Sequence, residues 1–308
     1  MTSSKDLDAE LQSVTFPTLF SQQPSPPAKT EPPRGKHATL VVPSSLRTPQ
    51  ILQRAPGTSL VIPAHNEESR IGPTLEKYLP ILESRGRPFE VIVVVDGSDR
   101  TSDVAERYGE RGVRVTRARN KLGKGGAILA GFRETRHEVV GYVDADGSLS
   151  TEDFTKIIEL ISTKRADCVI ASRWLAGSQW VRKESFQKRI ASRGFNILTR
   201  GLLGLDIHDT QCGAKFYRGQ LVDKLVRQVM VTNLTTDVGF LFHAHKNGAT
   251  IMEIPVTWDD DPRSRFNLAT MVPIMFLTVL GIKVMSLSIS RILPDSAVVR
   301  FQRLLGSI

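Results

Sequence analysis

The chain has 308 residues, 40% of them hydrophobic, enough for one large domain or two small ones with a sizeable core. Its net charge of +9 favours acidic partners such as nucleotides, phosphates or an anionic membrane surface. Two cysteines without a C-x-x-C pair exclude a disulfide framework and a cysteine zinc site, and fit a reducing cytoplasm.

Residues 1–56 hold nine of the 17 prolines and are predicted to be a disordered, proline-rich tail. The opening "MTSSKDLDAELQSVTF" has neither the basic nor the apolar region of a signal peptide. Order is expected from about Thr58. "TSLVIPAHNE" reads as a buried strand and loop, with Pro63 fixing the chain after the strand. "SRIGPTLEKYLPILESR" follows with Ile71, Leu75, Leu79 and Leu82 on one helical face. "FEVIVVVDGS" is a second apolar strand ending in Asp96, and "TSDVAERYGER" a helix capped by Thr101 or Ser102. "VRVTRA" is a short strand, "GKGGAILAGFRET" a loop entering a helix, and "EVVGYVDADGS" a further strand. "TEDFTKIIELIS", opened by Ser150 or Thr151, is a helix, and "ADCVIASRW" another strand. Continuously apolar strands alternating with helices predict an α/β fold, a mainly parallel sheet covered on both faces. Ligands of such sheets bind at the carboxyl ends of the strands, where "IPAHNE", Asp96, "DADG" and "SRW" all fall. Near the other end, "FNLATMVPIMFLTVLGIKVMSLSIS" (266–290) carries one charge, Lys283. It reads as a membrane span, a helix lying on a membrane, or a buried helix.

The chemistry centres on Asp144 and Asp146. Alternation along an extended chain puts both carboxylates on one side, where they can share Mg²⁺ or Mn²⁺ and a substrate diphosphate. Asp96 can accept hydrogen bonds from a base or ribose, and Glu67 can bind a base or sugar. "NKLGKGGAI" places Lys124 in a basic loop near the diphosphate; it is not a Walker A motif, because Gly125 follows the lysine. No G-x-G-x-x-G follows the first strand, which argues against a dinucleotide-binding dehydrogenase. Arg173, Arg189 and Arg193 can bind phosphate; the last two, four residues apart, also suit one exposed helical face. Asp209 or Gln211 can shape an acceptor site or hold a turn.

Taken together, "VIPAHNEE", "VVVDGSDRTSD", "NKLGKGGAILAG", "VDADGS", "IASRW", "RIASRGFN", "DTQCGAKFYR" and "IMEIPVTW" resemble family 2 glycosyltransferases of the GT-A fold. Within them the resemblance is to the polyprenyl-phosphate sugar synthases, the dolichyl-phosphate glucose and mannose group, over about Ser59 to Asn267. It implies a nucleotide-contacting loop at Pro63, His65 and Glu67, and a base-binding Asp96. It implies a metal and diphosphate segment at Asp144, Ala145 and Asp146, with Asp146 the direct ligand. Arg173 matches a phosphate-binding arginine, Arg189 falls near a second basic position, and Ser264 and Arg265 match a pair closing over the donor. Two positions depart from the pattern: Ser148 stands where mannose synthases often have a glutamine, and Gly239 where the glucose branch often has a glutamate. No N-terminal anchor of the eukaryotic glucose enzymes is read in the tail.

The resulting expectation is an inverting, metal-dependent transfer of a hexose from a nucleotide sugar, UDP-glucose before GDP-mannose, to a polyprenyl phosphate. The tail would span 1–56 and the GT-A domain 57–265. Apolar and basic helices at 266–308 would touch a membrane, placing the protein peripherally on its cytoplasmic face, or form a packed helix or homodimer contact. Asp237 is the one candidate base. Competing readings are a soluble family 2 transferase with a sugar or small-molecule acceptor, a nucleotidyltransferase, and a nucleic-acid-binding protein. The last finds no recognised module and only 6% aromatics.

Overall fold

Seven strands form one sheet in the order β3-β2-β1-β4-β7-β5-β8. The computed structural model describes residues 54–182, 186–229, 235–260 and 268–286. The strands are β1 (Ala55–Ala64), β2 (Phe89–Val95), β3 (Val113–Arg117), β4 (His137–Val143), β5 (Cys168–Ser172), β7 (Ala214–Arg218) and β8 (Ile251–Pro255). All pairings are parallel except those of β7, which runs antiparallel between β4 and β5. A small parallel pair, β6 (Gln179–Arg182) and β9 (Thr257–Asp259), lies outside this sheet.

Period-two alternation gives each strand two buried faces. Leu60, Ile62, Val91, Val93, Val139, Val143, Val169 and Phe216 pack with helices α1 (Ile71–Ser84) and α4 (Thr151–Ser162). Val61, Ile92, Val94, Val140, Tyr142, Ile170 and Tyr217 face the opposite layer. That layer holds α3 (Gly123–Glu134), α5 (Phe186–Leu203), α6 (Gly219–Gln228), α7 (Thr236–Lys246) and α8 (Leu268–Ser286). The expected face of α1 is the observed one: Ile71, Leu75, Leu79 and Leu82 are all buried, each contributing about 1.5–3 kcal/mol.

Three local features differ from the sequence reading. β1 begins at Ala55, two residues before the expected start of the domain, where the Ala55 N–H donates to Arg136 O (3.2 Å). Pro63 lies inside β1 instead of following it. The ladder to β4 ends at Val61↔Tyr142, so the missing N–H breaks no bond on that side. The short helix α2 (Thr101–Glu106) is capped by neither Thr101 nor Ser102; Asp99 Oδ1 accepts the Thr101 N–H (3.0 Å). At α4 the expected cap is present, with Ser150 Oγ accepting the Asp153 N–H (3.1 Å). Ser264 and Arg265 lie outside the described residues. Among the described residues no helix is long and apolar enough to cross a membrane.

Candidate active site at the carboxyl rim

Two loops meet where β1 and β2 end. Asn66 adopts the left-handed conformation (φ 56°), and its Oδ1 accepts the Ser98 N–H (3.0 Å). His65 Nδ1 contacts the carbonyl of Asp96. Glu67 forms an ion pair with Arg70, and its N–H donates to Thr101 Oγ1 (2.7 Å). Burial pushes the Glu67 carboxyl above its usual range against the pull of Arg70, and the charges of Asp146 and Asp144 add to the rise. Asp96 is 8% exposed, and its Oδ2 accepts the Gly123 N–H (2.6 Å) at the first residue of α3. One oxygen of the expected base-binding carboxylate is thus used to fix α3.

The chain leaves β4 at Asp144. Helix α1 holds the next residues by their carbonyls: Thr74 Oγ1 donates to Ala145 O (2.7 Å), Lys77 Nζ to Gly147 O (2.7 Å), and Tyr78 OH to Leu149 O (2.9 Å). Gly147 takes a positive φ of 67°, which a side chain would strain. The Ala145 methyl packs into the core, but Ala145 and Asp146 form a turn, with the Gly147 N–H donating to Asp144 O (3.4 Å), where the sequence reading expected an extended run. Any contact of Ala145 with a nucleotide sugar therefore falls to its backbone. Asp146 Oδ1 accepts the Ser148 N–H (3.0 Å).

Lys124, in the first turn of α3, reaches Asp144 Oδ1 (2.7 Å). Burial disfavours its charge, but the Asp144 and Asp237 carboxylates outweigh that and hold the ammonium well above its ordinary range. Burial likewise pushes the Asp144 carboxyl up; Lys124 opposes the rise and Asp146 adds to it. Behind this pair lies a second, fully enclosed lysine. Lys215 Nζ donates to Cys212 O (2.6 Å) and Tyr142 OH (3.0 Å) and sits 3.4 Å from Asp237 Oδ2. Tyr142 OH in turn donates to Asp237 Oδ1 (2.7 Å). Asp237, expected as a candidate base, is therefore buried in a network that already satisfies both its oxygens.

Across the rim, Arg173 and the fully buried Asp209 form a bidentate pair, Nε–Oδ2 2.8 Å and Nη2–Oδ1 3.0 Å. Burial raises the Asp209 carboxyl, but Arg173 overcomes it and the net displacement is downward. Arg173 also stands over the rings of Trp180 (5.6 Å) and Trp258 (5.8 Å). The expected phosphate-binding arginine is thus one whose orientation is fixed by Asp209. Arg189 and Arg193 lie on one helical face, Arg193 exposed, and both guanidinium groups stand over Trp174, at 5.9 and 5.1 Å.

The rim brings together Pro63, His65, Glu67, Asp96, Lys124, Asp144 and Asp146, while Arg173 and Arg189 flank it beyond β7. Two groups were not expected. Lys215 sits in β7, a strand the sequence reading did not identify, so nothing in the sequence marked it as buried. The tryptophan platform joins residues far apart in sequence. For a divalent cation, no three His, Cys, Asp or Glu groups converge among the described residues. Asp144 and Asp146 lie near enough for the charge of Asp146 to raise the Asp144 carboxyl, and two carboxylates suit Mg²⁺ or Mn²⁺, which take their remaining ligands from water and phosphate oxygens.

The chain is similar to known enzymes. Dolichyl-phosphate beta-glucosyltransferases from Dictyostelium discoideum and Trichomonas vaginalis are 30% and 32% identical. The first alignment covers 68% of each chain, the second 70% of this one and 69% of the relative. A Drosophila melanogaster enzyme of the same name is 33% identical over 66% of this chain and 67% of its own. A solved structure of glucosyl-3-phosphoglycerate synthase from Mycobacterium tuberculosis, in complex with Mn²⁺, UDP and glucosyl-3-phosphoglycerate, superposes with a TM-score of 0.54. It covers 75% of this chain and 79% of that one at 17% identity, a likeness of fold, which is of the GT-A type. The sequence profile described as "Glycosyl transferase family 2" matches residues 59–226. With more than half of the chain matched, and with relatives at these identities, the protein is a glycosyltransferase and belongs to glycosyl transferase family 2.

Proposed function

We propose that the protein moves glucose from UDP-glucose to the phosphate of a polyprenyl lipid, with inversion at the anomeric carbon. The observation that carries a lipid acceptor is the composition of α5 and α8. Helix α5 brings Arg189 and Arg193 to the Trp174 platform and exposes Ile190 and Ile197, while α8, packed on α5, exposes Phe276, Leu277 and Leu280. Cations at a site beside exposed apolar side chains suit a phosphate headgroup on a hydrocarbon chain. The three relatives named above are called dolichyl-phosphate beta-glucosyltransferases, which supports glucose as the sugar and a polyprenyl phosphate as the acceptor. The same surface supports peripheral attachment to the cytoplasmic face of a membrane.

The chemistry needs little from the protein beyond placement. A phosphate monoester is already ionised near neutral pH, so its oxygen attacks without a strong base, and Asp237 is not required as one. Asp96 and Glu67 would orient the nucleoside, Lys124 would meet the diphosphate, and Asp146 with Asp144 would hold Mg²⁺ or Mn²⁺. When bound, that ion supplies Lewis-acid stabilisation of the leaving diphosphate. Arg173, held by Asp209, would add a fixed positive charge. The test is a donor panel: purified protein, Mn²⁺, a short polyprenyl phosphate, and radiolabelled UDP-glucose, GDP-mannose or UDP-N-acetylglucosamine in separate reactions. Label should enter the organic phase from UDP-glucose alone. Preferential transfer from GDP-mannose would make it a mannose synthase, and hydrolysis without a lipid product would point to a soluble acceptor.

A further inference from the structure

All three tryptophans of the chain gather at one place, with Trp174 and Trp180 edge to face at 5.8 Å and Arg173 lodged between Trp180 and Trp258. Around them lie side-chain N–H groups that are buried yet have no hydrogen-bond partner among the described residues: Trp174 Nε1, Arg189 Nε, Asn196 Nδ2 and Gln211 Nε2. Buried donors are nearly always paired, because an unmade bond costs the full desolvation of the group. Four in one neighbourhood is a concentration that packing alone does not explain.

The three elements that carry them are tied together. Arg189 on α5 stands over the Trp174 ring, and Asn196, two turns further along α5, uses Oδ1 to accept both the N–H (3.0 Å) and the hydroxyl (2.6 Å) of Thr210. The next residue, Gln211, donates its N–H to Asp209 Oδ1 (3.3 Å), whose carboxylate already holds Arg173. Asp209 therefore has no oxygen to spare for the loose donors. Two residues beyond Gln211, the Gly213 carbonyl accepts the Asp144 N–H (3.0 Å), which sets this lining beside the carboxylate pair. Every loose nitrogen is a donor; the hydroxyls of Ser172 and Ser192, on β5 and α5, are also buried without a partner and can donate too, and the guanidinium groups of Arg189 and Arg193 add positive charge. A hydroxyl acceptor would need a proton acceptor here; a group bearing several anionic oxygens would not.

We propose that Trp174 Nε1, Arg189 Nε and Gln211 Nε2 bind the oxygens of the acceptor's phosphate monoester, and that this cationic, donor-rich lining favours phosphate over hydroxyl acceptors. The inference rests on the lipid-phosphate reading for its acceptor, and assigns the residues that recognise it. Asn196 positions the loop that carries Gln211.

Two variants and two readouts test it. Trp174→Phe keeps an aromatic face under Arg189 and Arg193 but removes the N–H with part of the ring, while Gln211→Glu replaces a donor with an anion. With farnesyl phosphate as acceptor, KM for the acceptor should rise about tenfold in the first and about a hundredfold in the second. KM for UDP-glucose should stay within about twofold of wild type. Equal rises in both constants, or an unchanged acceptor KM in both variants, would overturn the assignment. The second readout needs no turnover: the three clustered tryptophans make intrinsic fluorescence a reporter of the site. Inorganic phosphate should change it saturably in wild type, and much more weakly in Gln211→Glu. If the wild type transfers to no lipid phosphate yet shows that saturable, Gln211-dependent response, the lipid reading falls and the anion site stands. If transfer occurs but neither variant alters acceptor KM or the response, the lipid reading stands and the anion site falls.

Discussion

Replacing Gly213 by alanine should disable the site while sparing the fold. Gly213 precedes β7 and presses against Asp144: an added Cβ would lie 2.0 Å from Oδ2 and 2.4 Å from Cγ. Real Cβ atoms keep at least 3.0 Å, so the carboxylate must shift by about 1 Å or more, which disturbs its 2.7 Å bond to Lys124. Gly213 has no positive φ, so the backbone itself accepts alanine. A misplacement of about 1 Å at a reacting centre costs about a hundredfold in rate. The assay is the initial rate of glucose transfer at saturating UDP-glucose, alongside Mn²⁺ affinity by titration. We expect kcat to fall about a hundredfold, Mn²⁺ to bind more weakly, and Tm to move by only about 2–4 °C. Gly194→Ala on α5, where the added Cβ meets nothing within 4 Å, is the control, with wild-type activity and slightly higher stability. If Gly213→Ala keeps more than a third of the wild-type rate and its metal affinity, the carboxylate of Asp144 has no placement role and the reasoning is wrong.

Lys215→Met strands the Asp237 carboxylate in the core and should cost about 3–5 kcal/mol in urea unfolding; adding Asp237→Asn should recover a large part of that loss. A single variant as stable as wild type would show that the pair is not buried as described. Stability should also respond to acid. Burial holds the His137 and His243 imidazoles below their ordinary value of 6.5, so the unfolded chain takes up protons first. Their contribution is full above about pH 6.5 and is lost as pH falls through that value toward the folded pKa. Urea midpoints between pH 8 and 5 should therefore fall on the acid side, and less steeply in His137→Asn/His243→Asn; an identical slope would remove these residues from the explanation.

The sheet was legible as far as β5 because those strands are buried on both faces, which writes long apolar runs such as "VIVVV" into the sequence; β7 and β8 were not read as strands. The face of α1 and the Ser150 cap were legible for the same local reason: 3.6-residue spacing and capping are decided within a few residues. Direction was not: nothing in "AKFYR" says that β7 runs antiparallel between β4 and β5, since a buried strand looks alike either way. Charges were legible but their partners were not. Arg173 was visible as a cation, whereas its bond to Asp209 across 36 residues depends on a loop conformation that no periodicity encodes. The Trp174 platform, built from β5's end and α5, was hidden for the same reason. Asp144 and Asp146 stood out because placing two carboxylates at the end of an apolar strand is costly without a compensating cation, and Lys124 is the one the structure supplies.

The most direct test of the account offers one preparation two acceptors at equal concentration, a polyprenyl phosphate and the water-soluble 3-phosphoglycerate, with Mn²⁺ and radiolabelled UDP-glucose. Label should pass to the lipid at least about tenfold faster, and Asp146→Ala should abolish the transfer. Faster labelling of the soluble phosphate, or a lipid product that survives Asp146→Ala, would contradict it.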